Sequence, residues 1–531
     1  MSKSHSKKRV SDVFVPTRDF WIIYICLMVV MFLSALDQTI VGTALPTIVG
    51  DLGGAEHMAW AVTSYTLAIT VAMPIYGKLG DLMGRKPTYL AAIAIFLLGS
   101  ALCGLSQTML PFIAFRFIQG LGGGGLMITS QAITADLLPA RVRSVYMAPM
   151  GALFGVSSVL GPLIGGWFTD SLTWHWIFYI NLPLGIAAWI GVAVFMKLPR
   201  HHGKPAVDWL GLILLDAGAV AIVLLTSWAG TTFPWASWQT VALVALTLLM
   251  WGLVPAVERR AAEPILPMRL LRDRTFVVTT VVGMLAMGTM FGVLTYIPTY
   301  LQIVYSMTAT TSGLMMVPMT AGMLIASTAS GFAVSKTGRY RGYTIVGTLI
   351  AAGGMVGLST LSSSSSVFMV GLYTFIMGFG LGLFFQLLVL LVQNAVPARM
   401  VGTATSDNNF FREIGVSLGV AGIGTVFTSR LSDQIHDAFS ALVAGGDPAV
   451  VQALAGDGEG LSLRSLTPAL VRSLPDALHE AISGAYIDAL TPIFLGLAPI
   501  MVVAGVISLA LPHIDLSTKS GLEQVAEEER V

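Results

Sequence analysis

The chain has 531 residues, of which 55% are hydrophobic and only 11% charged, with 29 basic and 28 acidic side chains leaving a net charge of +1. A soluble protein carries roughly 25% charged residues, so this apolar excess must face something other than water. The near-zero net charge gives no electrostatic support to a nucleic-acid partner.

In chain order, the first 19 residues are polar and basic, with Lys3, Lys7, Lys8, Arg9 and Arg18. The apolar run that follows is too long for a secretory h-region and reads as a retained first helix. Apolar runs then recur near 20–45, 57–76, 88–106, 110–133, 145–168, 174–197, 208–228, 238–257, 275–298, 310–334, 342–360, 366–394, 408–429 and 490–511. A spanning helix needs ~20 apolar residues, so the pattern predicts fourteen spans and argues against an outer-membrane barrel, whose strands are alternating runs of about 10. Cys26 and Cys103 sit inside apolar runs and read as small core residues, with no disulfide framework and no metal-ligand cluster. The 56 glycines suit close helix packing in lipid.

Charge orients the spans. The gaps near 46–57, 106–110, 168–174, 228–238, 298–310 and 360–366 hold no Lys or Arg, whereas the alternate gaps hold Lys78, Arg85, Lys86, Arg141, Arg143, Arg200, Arg259, Lys336, Arg339 and Arg399, among others. The positive-inside rule then puts both termini in the cytoplasm of a multi-pass cell-membrane protein. One external loop, 430–489, is long and carries a net charge of about −5. Within it, 470–490 reads either as an amphipathic surface helix or as a solvated spacer. The acidic tail from Asp515 to Val531 reads as disordered.

A repeat is visible. Gly77-Lys-Leu-Gly-Asp81-Leu-Met-Gly84-Arg85-Lys86 follows the second span, and Gly331-Phe-Ala-Val-Ser335-Lys336-Thr-Gly338-Arg339 follows the tenth. It divides the chain into a segment 1–19, a six-helix bundle 20–200, an inserted helix pair 201–260, a second six-helix bundle 261–511 and a tail 512–531. Repeats of this kind build secondary transporters whose site lies between the halves.

The candidate chemistry is in the few ionisable groups inside apolar runs, since such groups are costly there and default to function. They are Asp37, Arg116, Asp216 and Glu413, with Asp407 and Arg412 nearer a helix end. Asp37 lies ~13 Å from the outer end of its helix and Arg116 ~9 Å from the outer end of the fourth, so the two can share a depth. A carboxyl alternating between an apolar setting and an arginine partner can load and release a proton. A permanent Asp37–Arg116 pair that fixes packing is the alternative. Glu413 shares a face with Asn409 and Ser417 and reads as a second proton or cation site, or as a local partner of Arg412. Trp60, Tyr65, Gln131, Tyr296, Gln386, Gln393, Asn409 and Phe411 are candidate lining for a weakly polar binding cavity, to which the 26 methionines can add adaptable surface. Gly122–Gly125 has no preceding strand and no following Gly-Lys-Ser/Thr, so it is no phosphate loop. Without a nucleotide site the energy source is an ion gradient, and no cofactor, nucleophile constellation or obligatory protein partner is implied.

Four motifs resemble those of the major facilitator superfamily, and more closely the fourteen-helix drug:proton antiporters of the EmrB/QacA type. They are Leu36-Asp37-Gln38-Thr39 through Pro46, the Gly77–Lys86 loop, Arg116-Phe-Ile-Gln119-Gly120 with its glycine run, and Gly161-Pro162-Leu-Ile-Gly165-Gly166. Phe178-Tyr-Ile-Asn181-Leu-Pro183 and Tyr296-Ile-Pro298 add to these; Ser335 departs from the pattern, standing where the second loop would carry an acid. The resemblance implies an all-α major facilitator fold and no enzyme. It implies proximity of Asp37 and Arg116, and an antiporter motif at Gly161, Pro162, Gly165 and Gly166. It also implies a latch in which Asp136 pairs with Arg85 and Asp81 caps a helix of the other half. The expected function is proton-coupled export of amphipathic or cationic drug-like compounds, of the kind that gives antibiotic resistance. Export of a lipid, siderophore or metabolite is the alternative.

Overall fold

A computed structural model describes residues 14–54, 57–198, 208–230, 232–444, 471–472 and 474–528. Fourteen helices in it are long and apolar enough to cross a membrane. They are α1 Arg18–Leu52, α2 Met58–Met83, α3 Arg85–Gly104, α4 Met109–Leu137, α5 Ala140–Ser171, α6 Trp176–Phe195 and α7 Trp209–Trp228. The series continues with α8 Trp238–Glu258, α9 Arg274–Val304, α10 Thr310–Thr337, α11 Arg341–Ser359, α12 Val367–Asn394, α13 Ala398–Ser440 and α14 Asp476–Ser508. A short α15, Gly521–Glu528, ends the described chain. Helices satisfy their own backbone polar groups, which is what lipid demands of a spanning element. Trp209 and Trp238 are exposed at helix starts, and Leu248, Leu249, Val502 and Val503 are exposed along helix flanks. That distribution suits an apolar solvent bounded by aromatic belts.

The helices fall into two similarly wired bundles. In the first, α1 packs on α5 and α6, α4 packs on α2 and α3, and α3 packs on α6. In the second, α9 packs on α13 and α14, α12 packs on α10 and α11, and α11 packs on α14. Each pairing in one bundle recurs eight helices later in the other. The bundles meet along two seams, α2 with α13 and α5 with α10, which the same exchange interchanges. The inserted pair α7–α8 packs on itself, and α7 leans on α2 and α13 at one seam.

Small residues set the spacing. In α4, a Cβ at Gly124 would lie 2.6 Å from the Ile69 carbonyl oxygen of α2, and one at Gly122 would overlap the backbone of Phe96 in α3. The glycine run therefore lets one helix touch two neighbours at once. Gly84 (φ 94°) and Gly338 (φ 70°) hold equivalent places in the two loop motifs. Each turns the chain in the positive-φ region that a side chain disfavours.

Three sequence expectations change. The last two spans are longer than their apolar cores, because polar turns continue α13 and precede α14. Helix α14 begins at Asp476, so most of 470–490 is the start of a span rather than a separate surface helix. The tail is not disordered over 515–528. Leu516 is buried, and Ser520 and Glu523 form a reciprocal cap, with Glu523 N–H donating to Ser520 Oγ at 3.3 Å and Ser520 N–H to Glu523 Oε2 at 2.7 Å. This capping box starts α15. The basic N-terminal residues through Arg9, Arg200, and residues 445–470 of the long acidic loop lie outside the described residues.

Candidate functional site

The N-terminal bundle buries an ion pair. Asp37 on α1 is 1% exposed and Arg116 on α4 2%. Arg116 Nη1 donates to Asp37 Oδ2 at 2.5 Å and to Gln119 Oε1 at 2.7 Å, while its Nε reaches the Ala61 carbonyl at 3.5 Å. The second carboxylate oxygen accepts from Gln119 Nε2 at 2.8 Å and from Asn181 Nδ2 on α6 at 3.4 Å. The Tyr65 ring lies 4.0 Å beneath the guanidinium. The shared depth deduced from sequence is realised, and the network gains two members, Gln119 and Asn181, that had no assigned role. Their signal was present: each is an amide inside an apolar run, within a motif quoted above.

Between the bundles lies a narrow cavity lined by Met31, Ser34, Ala35, Gln38, Ile69, Met73, Gly123, Met127, Leu153, Phe154, Met287, Phe291, Asn409 and Glu413. It draws on both halves. Its accessible volume is about 30 Å³, room for water and far below the several hundred Å³ of a drug-binding pocket. Glu413 is the single acid in the lining, and no hydrogen bond or salt bridge reaches it among the described residues. Ser34 stands one turn before Asp37 and Gln38 beside it, so the cavity wall and the ion pair share α1. Four methionines supply adaptable apolar surface.

Towards the Lys/Arg-rich end the seam is closed by polar contacts. Asn409 Nδ2 donates to Gln131 Oε1 at 3.0 Å, Gln393 Nε2 to the Gln131 carbonyl at 3.2 Å, and Arg143 Nη1 to Gln393 Oε1 at 2.9 Å. Beyond them sits the latch. Asp81 accepts from the Gly402 and Thr403 N–H groups at 3.0 and 2.6 Å, capping α13 of the other half. Arg85 donates to Asp136 at 2.8 Å and pairs with Asp81 at 2.8 Å. At the second seam Ser335 offers no carboxylate. Instead Arg141 donates to the Ser335 and Lys336 carbonyls at 2.7 and 2.9 Å, a cation at the C-terminus of α10 where the helix dipole favours it. The departure from the loop pattern thus has a physical counterpart: one seam is held by an acid at a helix start, the other by an arginine at a helix end.

Gly77 makes the first seam possible. A Cβ there would lie 2.8 Å from the Gly402 carbonyl and inside the Ser406 side chain. Gly77→Val should therefore force α2 and α13 apart, at a cost of about 1–3 kcal/mol for overpacking. A longer distance between spin labels placed at Met83 and Arg399 reads the separation; an unchanged distance would exclude it.

Several candidates sit elsewhere. Trp60 packs edge-on against Trp228 of the inserted pair at 5.3 Å, and Phe411 faces Trp251 of the same pair at 6.2 Å. Tyr296 packs on Phe427 at 4.8 Å within the second bundle. Gln386 abuts Gly151 across the second seam. Tyr65 belongs to the ion-pair site, and Gln131 and Gln393 to the seam. Of the candidate lining, only Asn409 reaches the cavity, together with Glu413. Periodicity placed these residues on helix faces but could not say which neighbour each face meets. Gly161 packs against Thr39 and Ile40, and Gly165 against Ile40, so this motif joins α5 to α1; Gly166 faces open space.

Three buried ionisable side chains hold atoms without a hydrogen-bond partner among the described residues. Both carboxylate oxygens of Asp407 and all three guanidinium nitrogens of Arg412 are unpartnered, as is Oδ1 of Asp216. Arg412 lies over the Phe385 ring at 4.1 Å, and no hydrogen bond or salt bridge joins it to Glu413 among the described residues, so the two are electrostatic neighbours without a direct contact.

The chain as a whole resembles known proteins. A model of the Major Facilitator Superfamily matches residues 27–420. An uncharacterized MFS-type transporter of Mycobacterium tuberculosis is 38% identical over 496 residues, covering 93% of this chain and 70% of the relative. The multidrug transporter protein MdtP of Bacillus subtilis is 37% identical over 516 residues, covering 94% and 95%. Among solved structures, the proton:xylose symporter XylE superposes with a TM-score of 0.58 at 14% identity, covering 96% of this chain and 98% of that one, a likeness of fold. The chain is a multi-pass membrane transporter with fourteen candidate spans among the described residues, not an enzyme, and it belongs to the Major Facilitator Superfamily.

Proposed function

We propose that this protein is a proton-driven antiporter that exports amphipathic, preferentially cationic compounds from the cytoplasm by alternating access. The observation that carries the reading is the cavity between the halves: apolar, methionine-rich, and holding one unpaired acid, Glu413, beside the helix that carries Asp37. An apolar wall accepts varied shapes, and a lone carboxylate favours a positive charge. Asp37 is the proton-coupling residue, with Arg116 as its partner; Asp407 is a second protonatable group nearer the cytoplasmic end. The Asp81–Arg85–Asp136 latch holds the cytoplasmic side closed, and the basic loops support an inward orientation of that side. The multidrug name of MdtP supports the cargo class, and the proton-coupled neighbour supports the energy source. Protons and the cargo are the only partners this scheme requires besides the bilayer.

The test is transport in proteoliposomes under an imposed pH gradient, with a panel of lipophilic cations, neutral drugs, lipids and siderophores. Cation movement coupled to opposite proton movement is expected. Movement of lipid or siderophore alone would select the other cargo class. The cavity in this conformation holds no drug-sized molecule, so its walls must part for loading. Met127→Trp, which adds an indole to that wall, should abolish export of bulky dyes and reduce that of small cations about ten-fold, one decade per ~1.4 kcal/mol. Dye efflux kinetics check this.

A further inference from the structure

The C-terminal tail after α14 does not leave the protein. It runs across the basic end and joins both halves. Tyr340, the N-cap residue of α11, anchors it, donating to the Pro512 carbonyl at 2.5 Å and accepting from Ile514 N–H at 2.8 Å. Asn394, the last residue of α12, clamps the next stretch, with its Nδ2 donating to the Asp515 carbonyl at 3.2 Å and its Oδ1 accepting from Ser517 N–H at 3.0 Å. The Ser517 carbonyl then accepts from Arg141 N–H at 3.2 Å, in the first turn of α5. Arg141 N–H is one of the donors a helix start leaves without an internal partner. Ser517 therefore bonds the C-terminal half through its N–H and the N-terminal half through its carbonyl.

Helix α15 continues the bridge. Gly521 lies against the end of α4, where a Cβ would fall 3.0 Å from Asp136 Cα and 3.1 Å from Asp136 Oδ1. A Cβ there is tight, so α15 or the end of α4 would have to give by a few tenths of an ångström, and more for a branched side chain. The Ser520–Glu523 capping box fixes where α15 begins, and with it the approach of Gly521 to Asp136. Leu511 and Leu516 are buried in the C-terminal half, so the root of the tail belongs to that half and its tip reaches the other.

We propose that residues 513–528 are a strap that stabilises the conformation closed at the basic end, and that the tip must leave α4 and α5 before that end can open. The two halves cannot separate there while Ser517 holds both Asn394 and Arg141. The acid latch and the strap meet at Asp136, so closure on this side is held by a carboxylate network from within and by the tail from below. The strap rests on alternating access alone and is independent of the cargo and of proton coupling.

The test is a distance measurement on the full-length protein in nanodiscs, with no transport assay. Spin labels are placed at Met83 and Thr337, both exposed at the basic end, in a background lacking Cys26 and Cys103. Three variants are compared with the parent: a chain ending at Pro512, Gly521→Val to lift α15 from Asp136, and Ser520→Ala with Glu523→Ala to unfold the start of α15. Losing two or three hydrogen bonds should raise the open-to-closed ratio about ten-fold. A longer distance population that grows in all three, or in the two point variants where the truncated chain does not fold, supports the strap. An unchanged distribution in Gly521→Val and in the capping-box variant overturns it.

Discussion

Asp37→Asn should abolish proton-driven accumulation of substrate while leaving the protein in the membrane. The asparagine keeps the shape of the site and can still meet Gln119 and Asn181, but it cannot carry a proton in exchange. In the described conformation the carboxylate takes one hydrogen bond from Arg116 at 2.5 Å and one from Gln119 at 2.8 Å. Protonation removes the anion, and the guanidinium retains Gln119 Oε1, the Ala61 carbonyl and the Tyr65 face. The site therefore has acceptors for Arg116 in both protonation states, as a coupling residue requires. Coupled uptake into proteoliposomes should fall at least ~100-fold, a barrier change of about 2.7 kcal/mol. Facilitated movement of substrate down its own gradient should persist, since the cavity is intact. Full coupled transport by the variant would remove Asp37 from the mechanism.

The same site has a structural reading, in which the pair only fixes α1 against α4. A double variant separates the two. Removing one partner of a buried pair strands the other charge and costs about 3–5 kcal/mol, whereas replacing both by apolar groups of similar volume is often neutral. Asp37→Asn should therefore lower the melting temperature, and Asp37→Leu with Arg116→Met should restore it. If the pair is only structural, transport returns with stability. If Asp37 couples protons, stability returns and coupled transport does not.

Much of this was legible before any coordinates because lipid is an unforgiving solvent. Helix number follows from where charge can and cannot reside, a shared depth for Asp37 and Arg116 follows from their distances to the helix ends, and their proximity was what the family resemblance implied. The resemblance implied the Asp136–Arg85 pair and a helix of the other half capped by Asp81; that this helix is α13, and that Gly77 packs against it, came only from the structure. What escaped was side-chain direction on buried helices. Trp60 and Phe411 lie on faces that could equally have met the cavity, and the inserted pair, absent from the two-bundle repeat, covers them instead. Glu413 and Arg412 are neighbours in sequence but differ by about 100° around the helix, so one enters the cavity and the other the bundle core. The tail misled because its net charge suggested disorder, while the four-residue capping box at Ser520–Glu523, a better local signal, went unread.

Glu413→Gln should divide the substrates by charge. Glu413 stands in an apolar wall with Phe154, Phe291 and the methionines, and no hydrogen bond or salt bridge engages its carboxylate among the described residues. An ionised carboxyl without a partner is costly in such a place, so a cationic ligand that enters supplies the missing counter-charge, and a neutral one does not. Glutamine preserves volume and removes that charge. A hydrogen bond to a charged group contributes about 1.5–3 kcal/mol, so affinity for lipophilic cations should drop roughly 10- to 100-fold, with neutral compounds changed by less than about three-fold. Competitive binding of a cationic dye and a neutral analogue to the purified protein measures both. Because Asp37 remains, transport of neutral substrates should stay proton-coupled. Loss of coupling for neutral substrates as well would make Glu413 part of the proton path rather than a reader of substrate charge. Equal losses of affinity for both ligands would mean that the carboxylate shapes the cavity and recognises nothing.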